Sequence, residues 1–441
     1  MRYVSLGRNC LVLSLFAAAP VAAAGPDNPT FAKHVAPIFQ EKCEACHRPD
    51  SIAPMPLRTF EEARPWARSI KVRVEARQMP PWHIDKTIGV KAFKDDRSLS
   101  DEQLETIVRW VDQGAPQGDP QDMPTPKVWP AAQTWTYAES IGQKEPDLIV
   151  RSAPWTQKAR ANDTWWKPIV ESGLTEPRWV RAVEVRPSSI KGRKVTHHAN
   201  ADILQVDPDA PAAEMTPGRF SEWAVGKGVE LMRPDSGMLM LPGSRIAWDI
   251  HYSSAGEDVT DSVELGIYFY PKGQEPKYRQ HLIRMGRTGA GALDIPPNTV
   301  QLTETYFPLR EAARLESFQP HMHLRGKAMT LEALLPSGEN VVISHVPEFS
   351  FMWHATYAYA DDAAPLLPKG TIIKVKAWHD NTAANKANPD PNVWVGYGGR
   401  TVDEMAHAWV NVTYMNDDDY RAEVKARREA LGLTTSDRQQ Q

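Results

Sequence analysis

The sequence predicts a multidomain chain in which a small all-α unit precedes two all-β sandwich domains. Three observations lead there. Helical patterning is concentrated near the front and stops at Gly114, a proline-rich stretch follows, and short alternating strands fill nearly everything after it. The 441 residues allow two to four domains. Abundant proline (37) and tryptophan (15) suit a loop-rich β chain better than a helical one. The net charge, 51 − 55 = −4, with 24% charged residues, argues against a nucleic-acid-binding surface.

The first element, residues 1–24, reads as a cleaved secretory signal. Arg2 and Arg8 precede an apolar run from Cys10 to Val21, and Ala22-Ala23-Ala24 supplies small residues before Gly25. A membrane anchor is the second reading, but the run is too short to span a bilayer. No later stretch is long and apolar enough to span one either, so the expected product is periplasmic or secreted.

Only Cys10, Cys43 and Cys46 occur, so an exported chain of this size is not held together by a disulfide framework. Cys43-Glu44-Ala45-Cys46-His47 has the CxxCH spacing of covalent haem attachment. Two thiols on one helical turn reach two vinyl groups, and the adjacent histidine binds iron. The competing reading is a redox dithiol. Export, the helical FAKHVAPIFQEKC before the motif and the lack of βαβ patterning favour one covalent haem c. Met79 in RQMPPWH, 32 residues beyond His47, is the expected sixth ligand, because flanking prolines pin an extended loop. His83 is the alternative, and Met55 is too near His47. SDEQLETIVRWVDQGAP closes the unit, with a Ser100/Gln103 capping box and a Leu104, Ile107, Val108, Val111 stripe. Residues 28–118 thus resemble the cytochrome c domains at the front of multidomain exported bacterial proteins.

Residues 119–146 read as a proline-rich, semi-rigid linker. Then come RWVRAVEVRP, ADILQVD, RIAWDIHYSS, VELGIYFYP, GTIIKVKAW and AHAWVNVTYM, punctuated by Gly, Pro, Asn and Asp in the manner of antiparallel sandwiches or barrels. About 275 residues is large for one sandwich and comfortable for two. PKGQEPKY places the division between 147–274 and 275–420, and 421–441 forms a charged, helix-prone tail.

Strand period sorts the histidines by face. His251 points away from Ile246, Trp248 and Ile250. His321 and His323 point away from Phe318, Met322 and Leu324. Met405 and His407 point away from Ala406, Ala408, Val410 and Val412. His197 and His198 are adjacent, so both can reach one metal only at a strand end or a bulge. His354 and His379 sit beside tryptophans and read as core histidines. Histidine with a thioether suits copper cycling between Cu(II) and Cu(I). Zinc accepts three histidines but gains nothing from methionine. With no cysteine after residue 46, a blue-copper site is excluded.

These motifs, HH (197–198), HYSS (251), HMH (321, 323) and DEM (403–405), occur in the order found in the copper type II, ascorbate-dependent monooxygenases, the family of peptidylglycine α-hydroxylating and dopamine β-monooxygenase. The resemblance covers roughly 147–418 and implies two jelly-roll sandwich domains and two copper ions. His197, His198 and His251 would hold an electron-transfer copper. His321, His323 and Met405 would hold the copper at which O2 meets a substrate C–H bond. The chain departs from the family in lacking disulfides. Gln319 stands where the peptide-hydroxylating enzyme has a carboxylate-binding arginine, and His407 and Trp409 replace its asparagine and tyrosine. The loop HDNTAANKANPDP also resembles one in bacterial members. The expectation is a haem- and copper-dependent monooxygenase acting on a small organic substrate with O2, its electrons relayed from a periplasmic donor through haem. The alternatives are a non-oxygenating electron-transfer or copper-binding protein on the same scaffold, and a β-rich binding module with incidental histidines.

Overall fold

A computed structural model describes residues 25–49, 51–131, 133–206, 218–224, 228–287, 289, 291–353 and 355–432. The expected signal segment 1–24, His354 and residues 433–441 of the tail lie outside them.

The chain is mostly β-sheet, with few helices, as expected for β-sandwich domains. Before residue 147 the secondary structure is helical, but an all-α cytochrome domain is not evident from it. The helices are short, the longest being Asp101–Asp112. That helix has the expected capping box, with Ser100 and Gln103 each satisfying the other's backbone N–H. Prolines punctuate the rest: Pro37 opens one helix, Pro65 lies in a short 3-10 turn, and Pro80-Pro81 follow the helix Ala67–Glu75. The helices share a core in which Phe31 and Phe39 pack on the buried Trp110. Its indole N–H donates to the Pro116 carbonyl (3.0 Å).

This helical region is sewn to the rest of the molecule well before the proline-rich stretch. Residues 82–94 lie along the second β unit. Asp85 N–H donates to His345 O, Val90 N–H to Ile343 O, and Lys94 N–H to Ala358 O. Ile84 is buried in that unit's core, and Trp82 meets Tyr357 edge-on at 5.0 Å. The proline-rich stretch itself ends in the helix Thr136–Ser140, where Trp135 and Ala138 pack on Ala182 and Tyr268.

Two large apolar cores follow. In the first, strands Leu148–Arg151, Arg178–Pro187 and Val263–Phe269 face strands Thr196–Leu204, Gly218–Ala224 and Arg245–Tyr252 across Val185, Leu265, Phe220 and Trp248. In the second, Tyr278–Arg287, Ala406–Met415 and Ala312–His321 face a four-stranded sheet across Met285, Phe318, Val410, Leu331 and Val375. The strand Tyr278–Arg287 joins the two. It pairs along most of its length with Ala406–Met415 and touches the first unit at Leu282↔Arg219 and Tyr278↔Ser236. The two units therefore share one continuous sheet, and the seam between them is where the candidate site lies. A final helix, Asp417–Ala430, is capped by Asn416 and tied to the second unit by the buried Arg314, which pairs with Glu423 at 2.7 Å. No helix among the described residues is long and apolar enough to cross a membrane.

Candidate functional site

Period-2 alternation carries apolar residues into each core and sends the intervening side chains the other way. In the first unit His198 lies directly opposite His251. The next pair is Thr196↔Tyr252, so the register slips and His197 becomes the extra residue of a bulge at the start of its strand. The bulge is what lets two adjacent histidines approach one point. The nearest ligand nitrogens of His197, His198 and His251 all lie within 4.8 Å of one another. His251 is held from both sides: its Nε2 meets Asp163 Oδ2 at 2.9 Å, and its ring stacks on Trp165 at 4.4 Å. Its Nδ1 is buried without a hydrogen-bond partner, which leaves that nitrogen available to a ligand. Burial lowers the His251 pKa against the pull of Asp163, favouring the neutral form.

The second cluster grows from the other unit. Gln319↔Trp409 and His321↔His407 are register pairs, and the core-facing Phe318↔Val410 and Pro320↔Ala408 alternate with them. His321 therefore stacks on His407 at 4.6 Å, and His323 stands 5.5 Å from His321 between ring centres. His323 Nδ1 is engaged by the Asp403 carbonyl at 3.0 Å, which leaves Nε2 for a ligand. Burial lowers its pKa too. A buried network fixes the segment behind it. Glu404 accepts from the backbone N–H of His323 (2.9 Å) and of Arg325 (2.6 Å), and His379 Nε2 meets the Met405 carbonyl at 3.0 Å. His379 is thus a core histidine, fully buried and engaged through Nε2, while its Nδ1 has no hydrogen-bond partner. Burial pushes the Glu404 carboxyl up to about 7, and the backbone donors act against it. Asn381 and Asn388, from the loop HDNTAANKANPDP, complete the network around Arg325.

Both clusters open into one cavity of about 210 Å³. It is lined by His198 and His251 from one unit and by His321, His323, Met405 and His407 from the other. Phe351 sits between the clusters, its ring centre 5.8 Å from that of His197 and 5.8 Å from that of His323. The cavity is polar as well as aromatic. Arg219 reaches Asn200 and Glu222 and lies over the Trp409 ring at 4.3 Å, and Arg284 also lines the wall. Gln319 does not line it. Its buried amide is spent on Glu222 and on the Thr356 hydroxyl, tying the two units together.

A third feature lies in the helical region. Cys43, Cys46, His47, Met55 and Met79 line one apolar cavity of about 640 Å³, whose wall is completed by Trp353 of the second β unit. His83 does not line it. His47 Nδ1 meets the Met55 carbonyl at 3.1 Å, so its other nitrogen is the one available to a ligand. Burial lowers the His47 pKa and pushes the Cys43 thiol up to about 12. A thiol held protonated is ill suited to disulfide exchange, which needs a thiolate.

The sequence carries no signal for Asp163, Phe351 or the carboxylates and arginines of the cavity. Asp163 and Phe351 lie in irregular segments, where no periodicity assigns a face.

No protein-family model and no curated protein matches the chain. Solved structures similar to it are remote. A candidate alpha-L-fucosidase from Bacteroides ovatus shares 10% identity over 66% of this chain and 41% of its own, with a TM-score of 0.18. The VP2 subviral particle of infectious bursal disease virus shares 10% over 64% and 77%, at 0.18. Dimeric latent PorU from Porphyromonas gingivalis shares 11% over 56% and 24%, at 0.17.

Proposed function

We propose that this protein is an exported haem- and copper-dependent monooxygenase that hydroxylates a C–H bond of a small organic substrate with O2. The observation that carries the reading is the shared cavity. Nitrogen and thioether ligands from three separate stretches of sequence, near 197, 321 and 405, converge there with His251. The donor set fits copper better than zinc, because Met405 would add a soft ligand to His321 and His323. His197, His198 and His251 would hold the second ion. The apolar cavity beside the CxxCH motif fits one covalent haem c, which Cys43, Cys46, His47 and Met79 would hold. When bound, copper supplies one-electron chemistry and oxygen activation, and haem supplies electrons from a periplasmic donor.

The chain's own residues do the rest. Asp163 and the Asp403 carbonyl orient two ligating imidazoles by engaging their other nitrogens. Glu404 fixes the backbone that carries His323. Trp165 walls His251 with apolar surface that limits water.

One observation favours the second reading, a copper-binding electron-transfer protein. At about 210 Å³ the cavity lies below the roughly 300–1,000 Å³ typical of small-molecule sites. The test is O2 uptake by the reduced, copper- and haem-loaded protein with a panel of small organic compounds. An oxygenase shows substrate-dependent uptake that Met405→Ala abolishes while haem reduction and copper at the His197/His198/His251 centre persist. Uptake indifferent to every compound and to Met405→Ala favours electron transfer alone.

A further inference from the structure

The two cavities are walled by the two ends of one short turn. Trp353 lines the apolar cavity together with Cys46, His47 and Met79, and Phe351 lines the histidine cavity. Only Met352 lies between them, so their Cα atoms are at most about 7 Å apart. The turn is fixed rather than loose. The Trp353 N–H donates to the Ser350 carbonyl at 3.1 Å, the Phe349 N–H donates to the Lys327 carbonyl at 2.8 Å, and Phe349 packs on the second core. Docking of residues 82–94 on the same unit holds the helical region at this place. Phe351 touches both histidine clusters at equal ring distance.

We infer that the turn Ser350–Trp353 is the electron contact between the haem cavity and the histidine cavity, with Trp353 as the entry side chain and Phe351 as the exit. The inference rests on the function proposed above. Each event moves one electron and no proton, converting ferrous to ferric haem and Cu(II) to Cu(I). Trp353 and Phe351 act here as positioning residues that shorten the gap and fill it with polarisable ring density, and neither ligates a metal.

The test uses the full-length protein loaded with haem and with Cu(II) added as sulfate. The haem is reduced anaerobically before copper is added, and its absorbance is followed by stopped flow. Copper reduction by ascorbate added directly is measured alongside, because that route bypasses the haem. Phe351→Leu and Trp353→Leu are each expected to slow haem oxidation at least tenfold, with Trp353→Phe restoring most of the rate and ascorbate-driven copper reduction unchanged. Phe351→Leu lies outside the haem cavity, so it remains informative if Trp353→Leu disturbs haem loading. Haem oxidation within twofold of wild type in Phe351→Leu overturns the inference, as does equal slowing of the ascorbate route, which marks a merely structural role. Wild-type haem whose oxidation ignores copper instead defeats the proposed function, and the inference with it.

Discussion

His251 offers a sharp perturbation of the first histidine cluster. It is almost fully buried, faces His198 across the strand pair, stacks on Trp165 and has a buried Nδ1 without a hydrogen-bond partner. A metal that binds the folded chain and not the unfolded one stabilises it by about 2.7 kcal/mol at a hundred times its Kd. For a folding unit of about 150–250 residues that is a rise of roughly 5–10 °C in Tm. His251→Ala removes one of three donors. If affinity falls about a hundredfold, the increment from this centre at the same Cu(II) concentration drops to about 0.4 kcal/mol, or roughly 1 °C. The assay is differential scanning calorimetry of chelator-treated protein with and without Cu(II). The quantity compared is the copper-induced increment within each protein, so the stability lost with the imidazole itself cancels. Copper at the other cluster contributes equally to both proteins. Asp163→Ala, which leaves all three nitrogens, should fall between. An unchanged increment in His251→Ala would refute the assignment of His197, His198 and His251 to one metal.

Three further outcomes follow from the geometry. Met79→Ala should leave haem covalently attached but abolish the absorption signature of methionine–iron ligation, whereas His83→Ala should preserve it, because Met79 lines the cavity and His83 does not. Glu332 is buried, which alone would raise its pKa, yet Lys374 and Lys376 at 2.7 Å each and Asn340 hold it down from the ordinary 4.5 to about 2. A carboxyl depressed this way stabilises the fold above its unfolded pKa and loses that contribution as pH falls from about 4.5 toward 2. Glu332→Gln should therefore cost on the order of 3 kcal/mol at pH 7 and much less at pH 2, read from denaturant unfolding. Gly286→Ala would put a Cβ 2.3 Å from His407 Cβ and 2.4 Å from the Ala406 carbonyl, forcing the strands apart. About 1–3 kcal/mol of destabilisation is expected, together with altered copper spectra through the His321–His407 stack.

The face on which each histidine lies was legible because alternation is a local rule. Ile246, Trp248 and Ile250 had to go inward, so His251 went the other way, and the same logic placed His321 and His407. The HH pair exposed the limit of that rule. Residues 197 and 198 cannot share a face in a regular strand, and the bulge that reconciles them arises from pairing with a strand 50 residues away. The helical region's attachment was hidden for a related reason. Residues 82–94 carry no strong pattern of their own, and their role appears only when Ile84 and Trp82 meet the second unit's core. Gln319 read as a change in substrate chemistry, because its hydrogen bond to Glu222 crosses between units. Trp353 and Phe351 were invisible as functional residues, since a turn has no period to assign them.

The proposed function requires two copper ions and one haem in a single chain, and their stoichiometry tests it. Protein exported from a host that attaches haem covalently, then saturated with Cu(II) and freed of excess, should contain one covalent haem and two coppers per chain. His251→Ala and Met405→Ala should each affect only one of the two coppers. Protein that retains no tightly held copper, or whose copper content ignores both substitutions, would refute the proposed function.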